Sequence, residues 1–321
     1  MEYDSAEDSD YEEQSQAGGS ADEITPADGS QSDENLDSDV DLDESEEEPD
    51  DDALEAAAAA AQKSKPHPMT ADFEGGRIIM LSIDMETGGE NCGPVQLSGK
   101  AYDPHSNKML GESFNMYIKP PANAVWNPAT TEVHGLHARH ENIVSAEGDL
   151  ATVWPQFIDW MESFLQNGAK KGCIIAWNGA SCDMEWYFRI TEIEQTGRAA
   201  RWTPFFWDPL KTIRGYKTCP LHMKQSMVNS YSCEDIWMYV MLQKTGVVHT
   251  ELPGAHDSLV DADAQLTIVM WLREQKSRGD SWLNKRKGPQ LVTDVYRVKR
   301  ERILKQAGVY AVYMHCMNML H

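Results

Sequence analysis

The spacing of apolar residues changes twice along this chain. Residues 77–87, RIIMLSIDMET, open with a nearly unbroken apolar run containing three isoleucines, which predicts a strand buried on both faces. Pro94–Tyr102 and Glu112–Lys119 alternate with period two around a predicted hairpin turn at 103–107, and Pro120-Pro121 ends the run. These three segments predict an antiparallel meander. Residues 126–140 read as loop with a helical turn or two. Leu150, Val153, Trp154, Phe157, Ile158, Met161 and Leu165 then follow helical spacing with a broad buried face. Beyond them come a short apolar strand at Gly172–Trp177, a helix over 183–194, a strand at Phe205–Leu210, and helices over 232–243 and 257–273. The last carries Leu259, Ala262, Leu266, Val269 and Met270 on one side. A meander followed by strand–helix alternation predicts an α/β fold, with a mixed five-stranded sheet flanked by helices and the later strands parallel to the first.

Charge divides the chain differently. Of its 52 acidic residues, 24 fall in residues 1–55, where there is no Lys or Arg, and the other 28 balance the 28 basic residues. The net charge of −24 therefore describes the tail and does not exclude nucleic acid as a partner of the rest. Residues 1–62 are expected to be a disordered acidic tail ending in an alanine-rich helix, 63–75 a linker, and 76–274 the globular domain. Residues 275–321 form a basic extension of open role, and 273–307 hold eleven Lys or Arg against four acids. Six cysteines without a CxxC pair suggest free thiols in a reducing compartment, and Cys219, His222 and Cys233 lack a convincing fourth zinc ligand. With no signal peptide and no apolar run of about 18 residues, no membrane association is expected and a nuclear or cytoplasmic location is the default.

Three stretches carry candidate chemistry. Asp84 and Glu86 are separated by one residue at the end of a predicted strand, so both leave on the same face. Two carboxylates about 6–7 Å apart repel unless a cation such as Mg²⁺ or Mn²⁺ lies between them. Charge at a strand end is otherwise simply solvated. Asn178-Gly-Ala-Ser-Cys-Asp183 follows a buried strand, and Asp183 at a helix start could be no more than a cap. His256 opens the third stretch, with Asp257 as the expected cap. At 100° per residue Asp261 and Asp263 point to nearly opposite faces, so one of them joins a shared site and Asp263 is read as surface charge.

In this order, Asp-x-Glu, Asn-x₄-Asp and His-x₄-Asp resemble the DEDD superfamily of 3′–5′ exonucleases, in the branch whose third motif carries histidine. The GAHDSLVDADAQLTIV stretch looks most like that branch, and the resemblance covers about residues 76–274. Ser258 stands where alanine is usual, and Trp177 where histidine commonly precedes the asparagine; neither change removes a ligand. The resemblance implies an RNase H-like fold. It further implies two divalent cations, Mg²⁺ or Mn²⁺, held by Asp84, Glu86, Asp183 and Asp261, with His256 as general base. Phosphodiester hydrolysis at a free 3′ end of DNA or RNA would release 5′-mononucleotides. Met85, Thr87, Leu136 (in Val133-His134-Gly135-Leu136) and Asn178 are the implied substrate-binding residues, and Trp126 is a further candidate for nucleotide contact.

A competing reading is a nucleic-acid-binding or interaction module that keeps this fold without catalysis, since fold alone does not fix activity. The two tails are candidates for recruiting other proteins.

Overall fold

The computed structural model describes residues 68–216, 219–226, 228, 230–275 and 288–306. The segments expected to be an acidic tail and an alanine-rich helix, Lys285-Arg286-Lys287 and the last residues from 307 onward lie outside the described residues.

Helix α1 (Pro68–Glu74) precedes the meander β1 (Ile78–Thr87), β2 (Pro94–Asp103) and β3 (Lys108–Tyr117). Then follow α2 (Pro128–His134), α3 (Glu141–Val144), α4 (Leu150–Ser163), β4 (Lys171–Ile175) and α5 (Asp183–Phe188), which runs into a π-turn at Arg189–Ile193. The remainder is β5 (Phe205–Trp207), α6 (Pro209–Gly215), α7 (Met223–Ser226), α8 (Cys233–Thr245), α9 (Ser258–Glu274), β6 (Gln290–Leu291) and α10 (Val292–Gln306). The described strands form one sheet in the order β3-β2-β1-β4-β5-β6. β2 is antiparallel to β1 and β3, β4 and β5 run parallel to β1, and β6 pairs antiparallel with β5. A meander extended by parallel strands is the RNase H-like arrangement.

The sheet has one strand more than expected. Gln290 and Leu291 are too short a run to show period two, yet they pair with Phe206 and Phe205. Two further differences concern helices. From Pro68 onward the expected linker is helical and buries Met69 against the sheet, with 1% of that residue exposed. The strand expected over 205–210 stops at Trp207, because Asp208 caps α6 through Leu210 N–H and Pro209 takes the first helical position.

Strand β1 is buried on both faces, as its unbroken apolar run requires. Ile79, Leu81, Ile83 and Met85 face α4, α5 and α10, in a core with Trp154, Phe157, Met184, Phe188 and Val295. Ile78 and Met80 face the other way, toward α1, α8 and α9, with Ile236, Val240, Leu266 and Val269. Along that second face β1 passes from Ile78 and Met80 to Ser82, Asp84 and Glu86. β2 likewise presents Tyr102, Lys100, Ser98 and Gln96, and pairs Ser98 opposite Asp84 and Gln96 opposite Glu86. The first turns of α9 lie over this polar end of the sheet. No helix of the described residues is long and apolar enough to cross a membrane.

Candidate metal centre

Period-two geometry sends Asp84 and Glu86 to the α9 side of β1 and leaves Met85 in the core on the other. Helix α9 begins beside them because Asp257 caps it, its carboxylate accepting from Leu259 N–H at 2.9 Å. Asp261 then falls on the face toward β1. One carboxylate oxygen from each of Asp84, Glu86 and Asp261 lies within 4.8 Å of the other two, and all three residues are half-buried. Asp263 leaves the opposite side of the helix and pairs with Lys100 at 2.5 Å, as the 100° periodicity requires.

Asp183 reaches the same place from β4. The chain leaves that strand through a turn that Asp208 holds, its Oδ1 accepting from Asn178 N–H at 3.1 Å. Asp183 is the first residue of α5, and Cys182 holds the cap position with no side-chain bond, so Asp183 is not a helix cap. It is 2% exposed, and its Oδ1 is buried without a hydrogen-bond partner. It lies outside the 4.8 Å group but near enough to raise Asp84 and Glu86 electrostatically.

Burial first, and then the repulsion of neighbouring carboxylates, hold all four acids above the ordinary carboxylate range. Asp84 is raised well above it by desolvation and then by Asp183, Glu86 and Asp261. Desolvation, Asp261 and Asp183 push Glu86 up to about 8. Asp183 is raised to about 7, chiefly by burial, against the backbone N–H groups of Asp183 itself and Met85. Asp261 rises to about 6, again through burial, with His256 opposing the shift. Four acids that resist ionising together, one with an orphaned buried oxygen, have the donor set and the charge deficit that a hard divalent cation satisfies. The residues present therefore fit such an ion.

His256 stands at the rim, exposed, in the left-handed region at φ 66°, and its N–H donates to Asp261 Oδ2 at 3.2 Å. A second histidine ties the neighbouring arm down. His134 Nδ1 accepts from Leu136 N–H at 3.0 Å, which leaves the ring proton on Nε2 to donate to Thr87 C=O at 2.9 Å. Desolvation, and then His256, lower the pKa of His134, consistent with a neutral ring in this role.

The remaining sequence candidates are placed differently. Thr87 is half-buried and offers its carbonyl to His134, and Asn178 is exposed at φ 52°. Met85 is 4% exposed in the main core, and Leu136 is 5% exposed in a small cluster with Cys92, Val95 and Ile143. Trp126 packs against that cluster, its ring over Gly88, where an added Cβ would lie 2.9 Å from the indole and 2.3 Å from Cys92 Sγ. Two residues at the site escaped sequence reasoning. Asp208 falls inside the strand expected over 205–210, although an Asp before a Pro is a helix-start signal. Gln265 is one turn beyond Asp261 on the same face of α9 and donates to Asp84 Oδ1 at 2.9 Å.

No family model and no curated protein sequence matches the chain. Solved structures do. The nuclease domain of 3′hExo, a DEDDh family member, bound to rAMP, is 12% identical over 62% of this chain and 92% of its own, with a TM-score of 0.44. Cell-death related nuclease 4 is 17% identical over 62% of this chain, with a TM-score of 0.45. E. coli Exonuclease I in complex with a dT13 oligonucleotide is 17% identical over 62% of this chain, with a TM-score of 0.44. The chain spans 64% of the length of cell-death related nuclease 4 and 42% of Exonuclease I. At these identities the functional reading rests on the site itself.

Proposed function

We propose that this chain is a cation-dependent 3′–5′ exonuclease acting on DNA or RNA with a free 3′ end. The observation that carries the reading is the meeting of Asp84, Glu86 and Asp261 within 4.8 Å, from residues 175 positions apart in the chain, with buried Asp183 beside them. Two divalent cations, Mg²⁺ or Mn²⁺, held by these four residues would supply positive charge for the phosphate and for the oxygens entering and leaving it. The rest falls to the side chains. His256 takes the proton from the attacking water as its oxygen bonds to the terminal phosphorus. The P–O3′ bond breaks, the electron pair goes to the 3′ oxygen of the shortened strand, and a 5′-mononucleotide leaves. The left-handed backbone at His256 supports this role, because strained non-glycine residues concentrate where geometry matters to chemistry. Val133, 56% exposed on the helix that His134 anchors to the end of β1, offers apolar surface suited to a base of a frayed 3′ end.

Purified protein incubated with 3′- and 5′-labelled single-stranded DNA and RNA tests the proposal. Shortening from the 3′ end with Mg²⁺, abolished by EDTA, is the expected result. Binding without hydrolysis in either cation would favour the silent binding module instead.

A further inference from the structure

Gln265 is 1% exposed, and its position bears on the proposed centre. From α9 it spans the gap between β1 and β4. Its Oε1 accepts from the Trp177 main-chain N–H at 3.2 Å, and its Nε2 donates to Asp84 Oδ1 at 2.9 Å. The orientation of the amide is not free. A main-chain N–H can only donate, so the atom facing Trp177 is the carbonyl oxygen and the amine faces Asp84. A buried donor aimed at Asp84 in turn requires that carboxylate to accept. One side chain thus touches β1, which carries Asp84 and Glu86, and the end of β4, which leads to Asp183, from the helix that carries Asp261.

We infer that Gln265 is a positioning residue that holds Asp84 in its accepting orientation and at a fixed distance from α9, and thereby sets the centre's affinity for divalent cations. The inference rests on the exonuclease reading only in so far as that reading needs a cation at these carboxylates. Such an amide has no substitute here. Leucine would fill the volume but leave the Trp177 N–H and Asp84 Oδ1 without partners. Glutamate would keep the shape and the bond to Trp177 while turning a second oxygen toward Asp84.

Mn²⁺ titration of the full-length chain, read by the electron paramagnetic resonance of the free ion, tests the inference in wild type, Gln265→Leu and Gln265→Glu. Both variants are expected to raise half-saturating Mn²⁺ by about 10–100-fold, the usual cost of losing a partner that orients a ligand. Far-ultraviolet circular dichroism of both variants in EDTA is expected to match wild type, which separates a change in half-saturation from a general loss of folding. Should Gln265→Leu fail to fold, Gln265→Glu alone decides. Folded variants that bind Mn²⁺ as tightly as wild type would overturn the inference and leave the reading of the centre standing. Wild type that binds no Mn²⁺ would remove both.

Discussion

Ser258 donates its hydroxyl to Ser98 Oγ across 2.6 Å, and both side chains are wholly buried. Ser98 passes a bond on to Asn115 Oδ1, which also accepts from Gln96, and Gln96 reaches Asp257 Oδ2 at 3.3 Å. One turn along α9, Ser82 donates to the Ala262 carbonyl at 2.8 Å. The helix that brings Asp261 to β1 is therefore docked at its first turns by a polar ladder, and by apolar packing only farther along. Fully satisfied buried bonds of this kind fix a unique register between helix and sheet.

Replacing Ser258 with alanine, the residue usual in the resembled family, removes one donor from that ladder. Ser98 keeps its bond to Asn115, so the expected loss is about 1 kcal/mol, the low end for a broken buried bond. In a domain of this size the melting temperature should fall by about 2–4 °C. Thermal denaturation of Ser98→Ala, Ser258→Ala and the double variant checks the coupling: the double loss should be smaller than the sum of the single losses. Additive losses would mean that the two hydroxyls act separately.

Asp84→Asn and Asp261→Asn should abolish nuclease activity and keep the fold. In EDTA near pH 8 each should melt at or above the wild-type temperature, because each relieves repulsion among acids whose pKa values are raised by one another. Differential scanning calorimetry with and without cation is the check. A lowered melting point in EDTA would show that the carboxylates support the fold directly.

The pH dependence of the cation-free protein follows from the same shifts. Glu86, Asp183 and Asp261 titrate near 8, 7 and 6 in the folded chain and near their ordinary values of 4.5, 3.8 and 3.8 when unfolded. The folded state therefore binds more protons across this interval, and stability contributed by the protonated acids is complete below about pH 4 and lost as pH rises toward 8. Added Mg²⁺ or Mn²⁺ competes with those protons, so its stabilising effect should be larger at pH 8 than at pH 5.5. Melting curves in EDTA and in each cation across this range measure both trends, and a cation effect independent of pH would contradict them.

His256→Ala should lower the hydrolysis rate by about 10²–10⁴, the contribution of a general base. It should leave most of the cation-induced rise in melting temperature, because alanine retains the main-chain N–H bond from position 256 to Asp261. Single-turnover kinetics at saturating cation measures the loss. A wild-type rate in the variant would remove His256 from the chemistry.

What could be read from the sequence follows from periodicity. Alternation placed Asp84 and Glu86 on one face, the helical angle separated Asp261 from Asp263, and the cap preference of aspartate marked Asp257, all of which the geometry repeats. Side chains whose meaning depends on what covers them were illegible. Gln96, Ser98 and Lys100 alternate along β2 as solvent-facing residues would, but α9 lies over that face. Gln265 looks like an ordinary polar helix position until β1 and β4 are seen on either side of it. β6 is a two-residue strand that exists only because β5 offers it an edge.

Anomalous diffraction at the manganese edge, from crystals of the full-length chain grown with Mn²⁺, tests the central claim most directly. Two peaks about 4 Å apart, bounded by Asp84, Glu86, Asp183 and Asp261, are predicted. No peak at these four residues, or Mn²⁺ bound only elsewhere on the chain, would contradict it.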